Sequence, residues 1–359
     1  MITNDDNMIS SSFIVSLVLL LLIIVVSQDK IIRTAAAAAC EGDDDNNNNN
    51  NDGGGDDGTC ISRRAPPQIL TNGSFKTLDS SYFEEIASIR YDELLDGDDG
   101  AAKKDDDESL SSLRKKPSIA NIPGGESISL RYVQDLITPE IASKLIEACD
   151  KRSGWTSSPQ SVAGSATVKA TRTSRSCPLI WPQLYLPLLD DPSKSSKLAP
   201  VKDEIDLTWH LTQRIASFLN VGEEYIEPFQ LVRYQPGEFY KEHHDHGSYY
   251  GVSTEQRPLT LLIFLSDLPS SSEVDNGGYT KFRALGGDGD DGLGIAVVPR
   301  QGDGVLWKNE DENGTLLMDA VHEAIPPKDG GDVIKYAMNV WIAGKKIKEN
   351  LDVSSYRTS

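Results

Sequence analysis

The sequence predicts a mainly β fold with flanking helices, of the α+β class, and three observations support this. Apolar runs of strand length lie at residues 229–234, 257–266 and 335–342, and turn-forming Gly, Pro and Asp residues separate them. Two amphipathic segments, at 138–149 and 203–219, precede these runs in the chain. Short strands between tight turns favour an antiparallel β-sandwich or jelly roll, with the helices against one face of a sheet.

The first helix has a well-defined predicted start. Thr138 supplies a capping hydroxyl, Pro139 suits the first helical position, and Glu140 lies near the positive end of the helix dipole. The apolar residues that follow recur with helical spacing; they are Ile141, Leu145, Ile146 and Cys149.

A cluster of histidines follows the first predicted strand. The 359 residues include five histidines, and three of them lie in His243-His244-Asp245-His246, with His322 downstream. Side chains two residues apart share a face of an extended chain, so two pairings compete. His243 with Asp245 is half of an iron(II) facial site, whereas His244 with His246 is more typical of zinc or copper. A solvent-exposed polar loop is the third interpretation.

The later strands suggest how such a site is completed. In a sandwich, a third ligand arrives from a strand that folds back beside the first, which suits the long interval from Asp245 to His322. A basic residue beyond that ligand can then face the far carboxylate of a dicarboxylic co-substrate. Lys335 is the candidate for this role.

The order of motifs between residues 127 and 344 resembles the prolyl 4-hydroxylase α-subunit-like family of 2-oxoglutarate and iron(II) dioxygenases. The matching motifs are Arg172-Thr173-Ser174, Tyr234-x-x-Gly237-x-x-Tyr240-x-x-His243-x-Asp245, the strand at 257–265, Gly277-Gly278-x-Thr280, Pro299-x-x-Gly302, His322, and Lys335 six residues before Trp341. The resemblance implies a double-stranded β-helix (jelly-roll) core. It also implies Fe(II), 2-oxoglutarate, O2 and ascorbate as cofactors or co-substrates.

The resemblance assigns roles to four residues at the metal. His243, Asp245 and His322 would hold Fe(II), and Lys335 would bind the distal carboxylate of 2-oxoglutarate; all four would be catalytic. The implied reaction hydroxylates peptidyl proline and decarboxylates 2-oxoglutarate to succinate and CO2.

Four further residues match positions around this centre. Tyr234 and Thr280 would line the co-substrate pocket, while Arg257 and Trp341 would lie near the groove for a proline-rich or collagen-like peptide. Two alternatives remain open: the same chemistry on another peptide side chain or a small molecule, and a non-catalytic jelly-roll protein that binds a metal.

The chain departs from the family pattern in several places. His244 stands where an aromatic or apolar residue is usual, and Tyr279 replaces the usual acidic residue of the Gly-Gly-x-Thr segment. The interval between His322 and Lys335 is also longer than usual. The assignment of Lys335 therefore depends on its Lys-Tyr context followed by Trp341.

The chain is expected to have four parts: a signal peptide or signal anchor at 1–27, a low-complexity acidic spacer at 28–125, a catalytic domain at 126–345 and a tail at 346–359. The apolar stretch 13–26 is shorter than the roughly 20 residues of a membrane span but suits a signal-peptide core. It predicts entry into the secretory pathway, with the catalytic domain in the lumen of the endoplasmic reticulum or Golgi and with membrane anchoring possible. The spacer is expected to be disordered, except for a short helix at 81–95.

Charge, cysteine content and sequons bear on the possible partners and the cellular compartment. The formal net charge of −20 favours solubility and argues against nucleic-acid binding. Cys149 and Cys177 could pair in an oxidising compartment, but a buried, unpaired Cys149 is the preferred interpretation. Asn72 and Asn313 begin glycosylation sequons. The sequence does not determine the oligomeric state.

Overall fold

The computed structural model describes residues 66–85, 117–158, 171–246, 256–268, 275–286, 294–328 and 333–347. Within these residues the strands form two antiparallel sheets that pack against each other, with helices outside the larger one. The predicted class, mainly β with flanking helices around a jelly-roll core, is confirmed.

Fifteen strands make up the sheets in the described part of the chain. They are β1 (Gln68–Thr71), β2 (Ser74–Thr77), β3 (Glu84–Glu85), β4 (Ser118–Asn121), β5 (Arg131–Gln134), β6 (Thr156–Ser157), β7 (Arg175–Pro178), β8 (Gln230–Tyr234), β9 (Tyr240–His243), β10 (Leu259–Phe264), β11 (Thr280–Phe282), β12 (Ile295–Val297), β13 (Gly304–Lys308), β14 (His322–Ala324) and β15 (Lys335–Ile342). The larger sheet has the order β3-β4-β5-β13-β10-β15-β8-β7-β6, and the smaller has the order β2-β1-β12-β11-β14-β9.

The helices are α1 (Pro139–Lys151), α2 (Pro182–Leu189), α3 (Pro192–Leu198) and α4 (Lys202–Leu219). Both predicted helices are confirmed as α1 and α4. Thr138 caps α1, because its Oγ1 accepts a hydrogen bond from the backbone N–H of Ile141 at 3.3 Å. At the C-terminal end of α4, Asn220 adopts a left-handed conformation with φ 53°, which ends the helix.

The position of strand β10 between two cores explains why its sequence is continuously apolar. Leu261 and Ile263 point toward the core beneath the helices, whereas Leu262 and Phe264 point into the core between the two sheets. All six residues of the strand are buried, since both of its faces are covered. The strand therefore lies at the centre of the domain and leaves Thr260 facing the functional site.

The predicted spacer requires a correction. Residues 66–85 and 117–125 belong to the sheets: β1 pairs with β12, and β4 pairs with β5. The apolar side chains of Ile69 and Ile122 are buried in the core between the sheets, which stabilises these segments despite the acidic runs around them. Where a helix was expected at 81–95, the described part is a short 3-10 turn and β3.

The two domain cysteines also differ from the preferred interpretation. Cys149 of α1 and Cys177 of β7 form a disulfide, with Cα atoms 6.2 Å apart. Both residues are fully buried, so Cys149 is a buried helix residue as expected but is not unpaired. The bond links the helix layer to the larger sheet.

Several predictions fall outside the described residues. These include the apolar stretch 13–26 and the tail from 348 onward. None of the helices in the described ranges is long and apolar enough to cross a membrane.

Candidate metal and co-substrate site

A cavity of about 650 Å³ lies between the two sheets. Strands of the larger sheet contribute Tyr234, Lys335 and Trp341 to its wall, while the smaller sheet contributes Thr280 and His322. A cavity of this size is typical of small-molecule binding sites.

Three potential metal ligands meet in this cavity. His243 ends β9 and His322 begins β14, and the two are paired across these neighbouring strands. Asp245 follows β9, with its carboxylate oxygens 3.7 Å from Nε2 of His243 and 3.9 Å from Nε2 of His322. The three ligand atoms lie within 4.8 Å of one another, and the described residues contain no other such group of three or more His, Cys, Asp or Glu side chains.

Backbone carbonyls orient both histidines in the same way. Nδ1 of His243 donates a hydrogen bond to the carbonyl of Lys241 at 2.8 Å, and Nδ1 of His322 donates to that of Ala320 at 2.9 Å. Because a carbonyl can only accept, each Nδ1 carries the hydrogen and each Nε2 keeps a lone pair. Hydrogen bonds of this kind fix the tautomer and the ring orientation of metal-binding histidines.

A chain of buried hydrogen bonds holds the carboxylate. Thr260 Oγ1 donates to Asp245 Oδ2 at 3.0 Å and accepts from Asn309 Nδ2 at 2.8 Å. The indole of Trp307 donates to the side-chain oxygen of Asn309 at 2.9 Å. One oxygen of Asp245 is thereby positioned by the larger sheet, while both histidines come from the smaller one.

The electrostatics give the donor set that iron(II) requires. Burial, followed by the proximity of His322, lowers the pKa of His243 to about 3. Burial by itself raises the pKa of Asp245, but the combined effect of its neighbours, led by His322 and His243, is larger, and the pKa is lowered. Neutral imidazole and an ionised carboxylate at neutral pH match the two-histidine, one-carboxylate facial site of iron(II) oxygenases.

Lys335 provides the cationic end of the cavity. Its side chain is 1 % exposed, and Nζ donates to Thr280 Oγ1 at 3.3 Å and lies 5.5 Å from the ring centroid of Tyr234. Burial lowers its pKa to about 7, and no carboxylate of the described residues forms an ion pair with it. A buried ammonium without a counter-ion favours an anionic ligand, and the distal carboxylate of 2-oxoglutarate fits this need.

Arg257 and Trp341 also reach the cavity wall, as a stacked pair. The guanidinium lies 3.8 Å from the ring centroid of Trp341. It donates from Nε and Nη2 to the two carboxylate oxygens of Glu227 at 2.8 and 2.7 Å, and both charged residues are buried. Sequence reasoning missed Glu227, since nothing local marks a carboxylate 30 residues before its partner.

The rival histidine pairing does not form a site. Nε2 of His244 donates to the carbonyl of Leu317 at 3.1 Å, and Nδ1 of His246 lies 3.3 Å from a carboxylate oxygen of Glu310. Their ring centroids are 6.3 Å apart. The zinc or copper interpretation is therefore wrong for the described structure.

Two residues of the matched motifs have contacts that the sequence did not assign. The ring of Tyr240 stacks on His243 with centroids 3.5 Å apart, and the guanidinium of Arg172 lies 4.5 Å from the Tyr240 centroid. Nε of Arg172 donates to Ser174 Oγ at 2.8 Å. Tyr240, backed by Arg172, therefore supports one face of the His243 ring.

Comparison with known proteins agrees with this geometry. Residues 229–343 match the family described as the 2OG-Fe(II) oxygenase superfamily. The relatives that the sequence matches are prolyl 4-hydroxylases, in agreement with the resemblance seen in the motifs.

Two relatives illustrate the similarity. The chain is 31% identical to Prolyl 4-hydroxylase 13 of Arabidopsis thaliana over 157 residues, covering 41% of this chain and 52% of the relative. It is 27% identical to Prolyl 4-hydroxylase subunit alpha-2 of Caenorhabditis elegans over 157 residues, covering 42% and 26%. The matches span about half, or less, of the length of these curated relatives.

Two prolyl hydroxylases are among the solved structures that match this chain. The viral collagen prolyl hydroxylase vCPH from Paramecium Bursaria Chlorella virus-1, in its 2OG complex, has a TM-score of 0.39 and 19% identity, covering 60% of this chain and 96% of the other. A Pseudomonas putida prolyl-4-hydroxylase has a TM-score of 0.35 and 16% identity, covering 61% and 95%.

Proposed function

We propose that this chain is a 2-oxoglutarate- and Fe(II)-dependent dioxygenase that hydroxylates peptidyl proline and converts 2-oxoglutarate to succinate and CO2. The observation that carries the proposal is the joint presence of His243, Asp245, His322 and the buried ammonium of Lys335 in one cavity. This ammonium forms no ion pair with any residue that the structure describes. The similarity to prolyl 4-hydroxylases supports the choice of acceptor.

The residues at the two ends of the cavity have different proposed roles, metal binding at one end and co-substrate binding at the other. Nε2 of His243, the Asp245 carboxylate and Nε2 of His322 would hold the metal on one face and leave the opposite face open. Lys335, with Thr280 beside it, would fix the distal carboxylate of 2-oxoglutarate and so set its position relative to the metal. When bound, iron(II) and 2-oxoglutarate supply the O2-activating chemistry that oxidises an unactivated C–H bond.

The acceptor would enter beside the co-substrate. The cavity volume leaves room for an acceptor side chain next to a five-carbon dicarboxylate. Tyr240 and Trp341 provide aromatic surface there, and aromatic-lined grooves suit extended proline-rich peptides. We therefore propose a proline-rich or collagen-like substrate and, in line with the family resemblance, ascorbate as an additional cofactor.

We also propose that the catalytic domain lies in the lumen of the secretory pathway, in the endoplasmic reticulum or Golgi, with residues 13–26 as a signal or anchor. The Cys149–Cys177 disulfide supports an oxidising compartment. Asn72 and Asn313 are exposed in turns, which supports glycosylation of both sequons.

The proposal is tested by incubating the purified protein with Fe(II), 2-oxoglutarate, ascorbate and a panel of proline-rich and collagen-like peptides. We expect succinate release and a peptide mass increase of one oxygen atom. The variant Asp245→Asn keeps the side-chain shape but removes the charge, and it should lose both products. Glu147→Gln makes the same chemical change on the exposed face of α1 and should retain them.

Two outcomes would contradict parts of the proposal. Undiminished succinate release by Asp245→Asn would remove the metal assignment. Succinate release without hydroxylation of any peptide would retain the iron chemistry and reject the proline-containing acceptor.

A further inference from the structure

Three consecutive residues, 244 to 246, are tied to one distant segment of the chain. His244 binds the carbonyl of Leu317, and His246 binds the carboxylate of Glu310. Between them, Asp245 is connected through the hydroxyl of Thr260 to Asn309. All three contacts therefore reach residues 309–317, which lead from β13 toward the third potential ligand, His322.

Glu310 is the unexpected member of this arrangement. Its side chain is only 3 % exposed, and burial raises the pKa of its carboxyl group. A buried carboxylate is costly unless a donor satisfies it, and Nδ1–H of His246 is such a donor. Since Glu310 plays no part in the chemistry proposed above, the pair calls for a separate explanation.

The segment is itself held in shape. Glu310 forms an isolated backbone bridge with Leu316, and the side chain of Asp311 accepts hydrogen bonds from the backbone N–H groups of Asn313 and Thr315. The chain then turns through Met318–Ala320, and the carbonyl of Ala320 orients His322. Fixing this segment to residues 244–246 therefore fixes the position of Asp245 relative to His322.

We infer that His244 and His246, with Glu310, are positioning residues that hold the three metal ligands in place before a metal binds. The inference rests on the metal site of the proposed function. Both histidines use ring nitrogens on partners other than the three ligands, which agrees with a supporting role. A preformed site binds metal more tightly, because binding need not first order the loops that carry the ligands.

The test is metal affinity, measured without turnover. Co(II) is titrated anaerobically into the full chain, and binding is followed by visible absorption and by quenching of tryptophan fluorescence; the indole ring of Trp307 lies 4.9 Å from the ring of His322. Removing the pair with Glu310→Ala or His246→Ala should raise the Kd for Co(II) about 10- to 100-fold, the range typical for residues that orient metal ligands.

Two further variants separate positioning from general damage. In His246→Asn the side-chain amide places an N–H near the position of Nδ1, so it can still donate to Glu310 and should recover most of the wild-type affinity. Thr138→Ala removes the cap of α1, far along the chain from the site, and should lower thermal stability without changing the Kd.

Each outcome has a distinct meaning. If the unaltered protein binds no Co(II), the metal site and the proposed function both fail. If it binds Co(II) and both alanine variants bind equally well, the inference is overturned while the function stands. Equal losses in His246→Ala and His246→Asn would also overturn it, because the hydrogen bond to Glu310 would then not matter.

Discussion

Replacing Lys335 with methionine should stabilise the protein and abolish its response to 2-oxoglutarate. Methionine matches the flexible four-atom stem of lysine, with sulfur in place of one methylene, and lacks the ammonium group. In the structure this ammonium is buried beside Thr280 and Tyr234, and no carboxylate in the described residues pairs with it. The substitution therefore removes an uncompensated charge and also the proposed co-substrate contact.

The magnitude follows from the pKa of Lys335. Burial lowers it from 10.5 to about 7, which at about 1.4 kcal/mol per pKa unit corresponds to roughly 5 kcal/mol against the charged folded state. Below pH 7 both states carry the proton, so the whole penalty acts on the folded protein. Between the two pKa values only the unfolded chain holds the proton, and stability rises with pH. The advantage of Lys335→Met should therefore shrink from roughly 5 kcal/mol at pH 6 to roughly 3 kcal/mol at pH 8.5.

The assay is urea unfolding of both proteins at these two pH values, without 2-oxoglutarate. It is repeated at pH 7 with Mn(II) and saturating 2-oxoglutarate. Ligand binding to the folded state should stabilise the unaltered protein and leave Lys335→Met nearly unchanged. The exposed lysine variant Lys144→Met is the control and should differ little from the unaltered protein in any condition.

The reasoning would be refuted by a Lys335→Met protein that is less stable than the unaltered chain without 2-oxoglutarate. It would equally be refuted if 2-oxoglutarate stabilised both proteins to the same extent. The first result would mean that the ammonium is compensated in the folded state, and the second that it does not contact the co-substrate.

Three other predictions address the same domain. Because the pKa of Lys335 is lowered to about 7, the Kd for 2-oxoglutarate should increase with pH above 7, by at most about tenfold per pH unit; calorimetric titrations at pH 6.5, 7.5 and 8.5 would detect this, and a constant Kd would contradict it. Arg257→Met leaves the buried carboxylate of Glu227 unpaired and should cost about 3–5 kcal/mol in urea unfolding, whereas the double variant with Glu227→Gln should recover much of the loss. Reducing the Cys149–Cys177 bond, which closes a separation of 28 residues, should cost about 2–4 kcal/mol; thermal denaturation with and without reductant measures this, and a Cys149→Ser chain should show no effect of reductant.

Local patterns in the sequence were sufficient for features that depend on neighbouring residues. The apolar strand before His243 and the two-residue alternation of an extended chain offered a pairing of His243 with Asp245 on one face. The structure places both side chains together. Thr138 and Pro139 marked the start of α1 to the residue. These features follow from backbone geometry over a few residues, so a single chain segment contains all the information.

The compositional interpretation failed where long-range packing mattered. Residues 66–85 lie between acidic runs, yet Ile69 is fully buried and β1 pairs with β12 more than 200 residues later. This segment is stabilised by packing and strand pairing with residues that are distant in the sequence, so its own composition does not reveal that it is ordered. Likewise, a disulfide between Cys149 and Cys177 depends on how α1 lies on β7, which no spacing rule predicts.

The charged pairs around the site show the same division. The sequence alone indicated the ligand types, the family resemblance and the lysine that could face a carboxylate, because these depend on residue identity and order. Only the folded chain showed that Lys335 is buried with no counter-ion among the described residues, that Glu227 pairs with Arg257, and that Glu310 pairs with His246. Such pairings depend on strand register and on how the two sheets face each other, since both decide which side chains share a space closed to water.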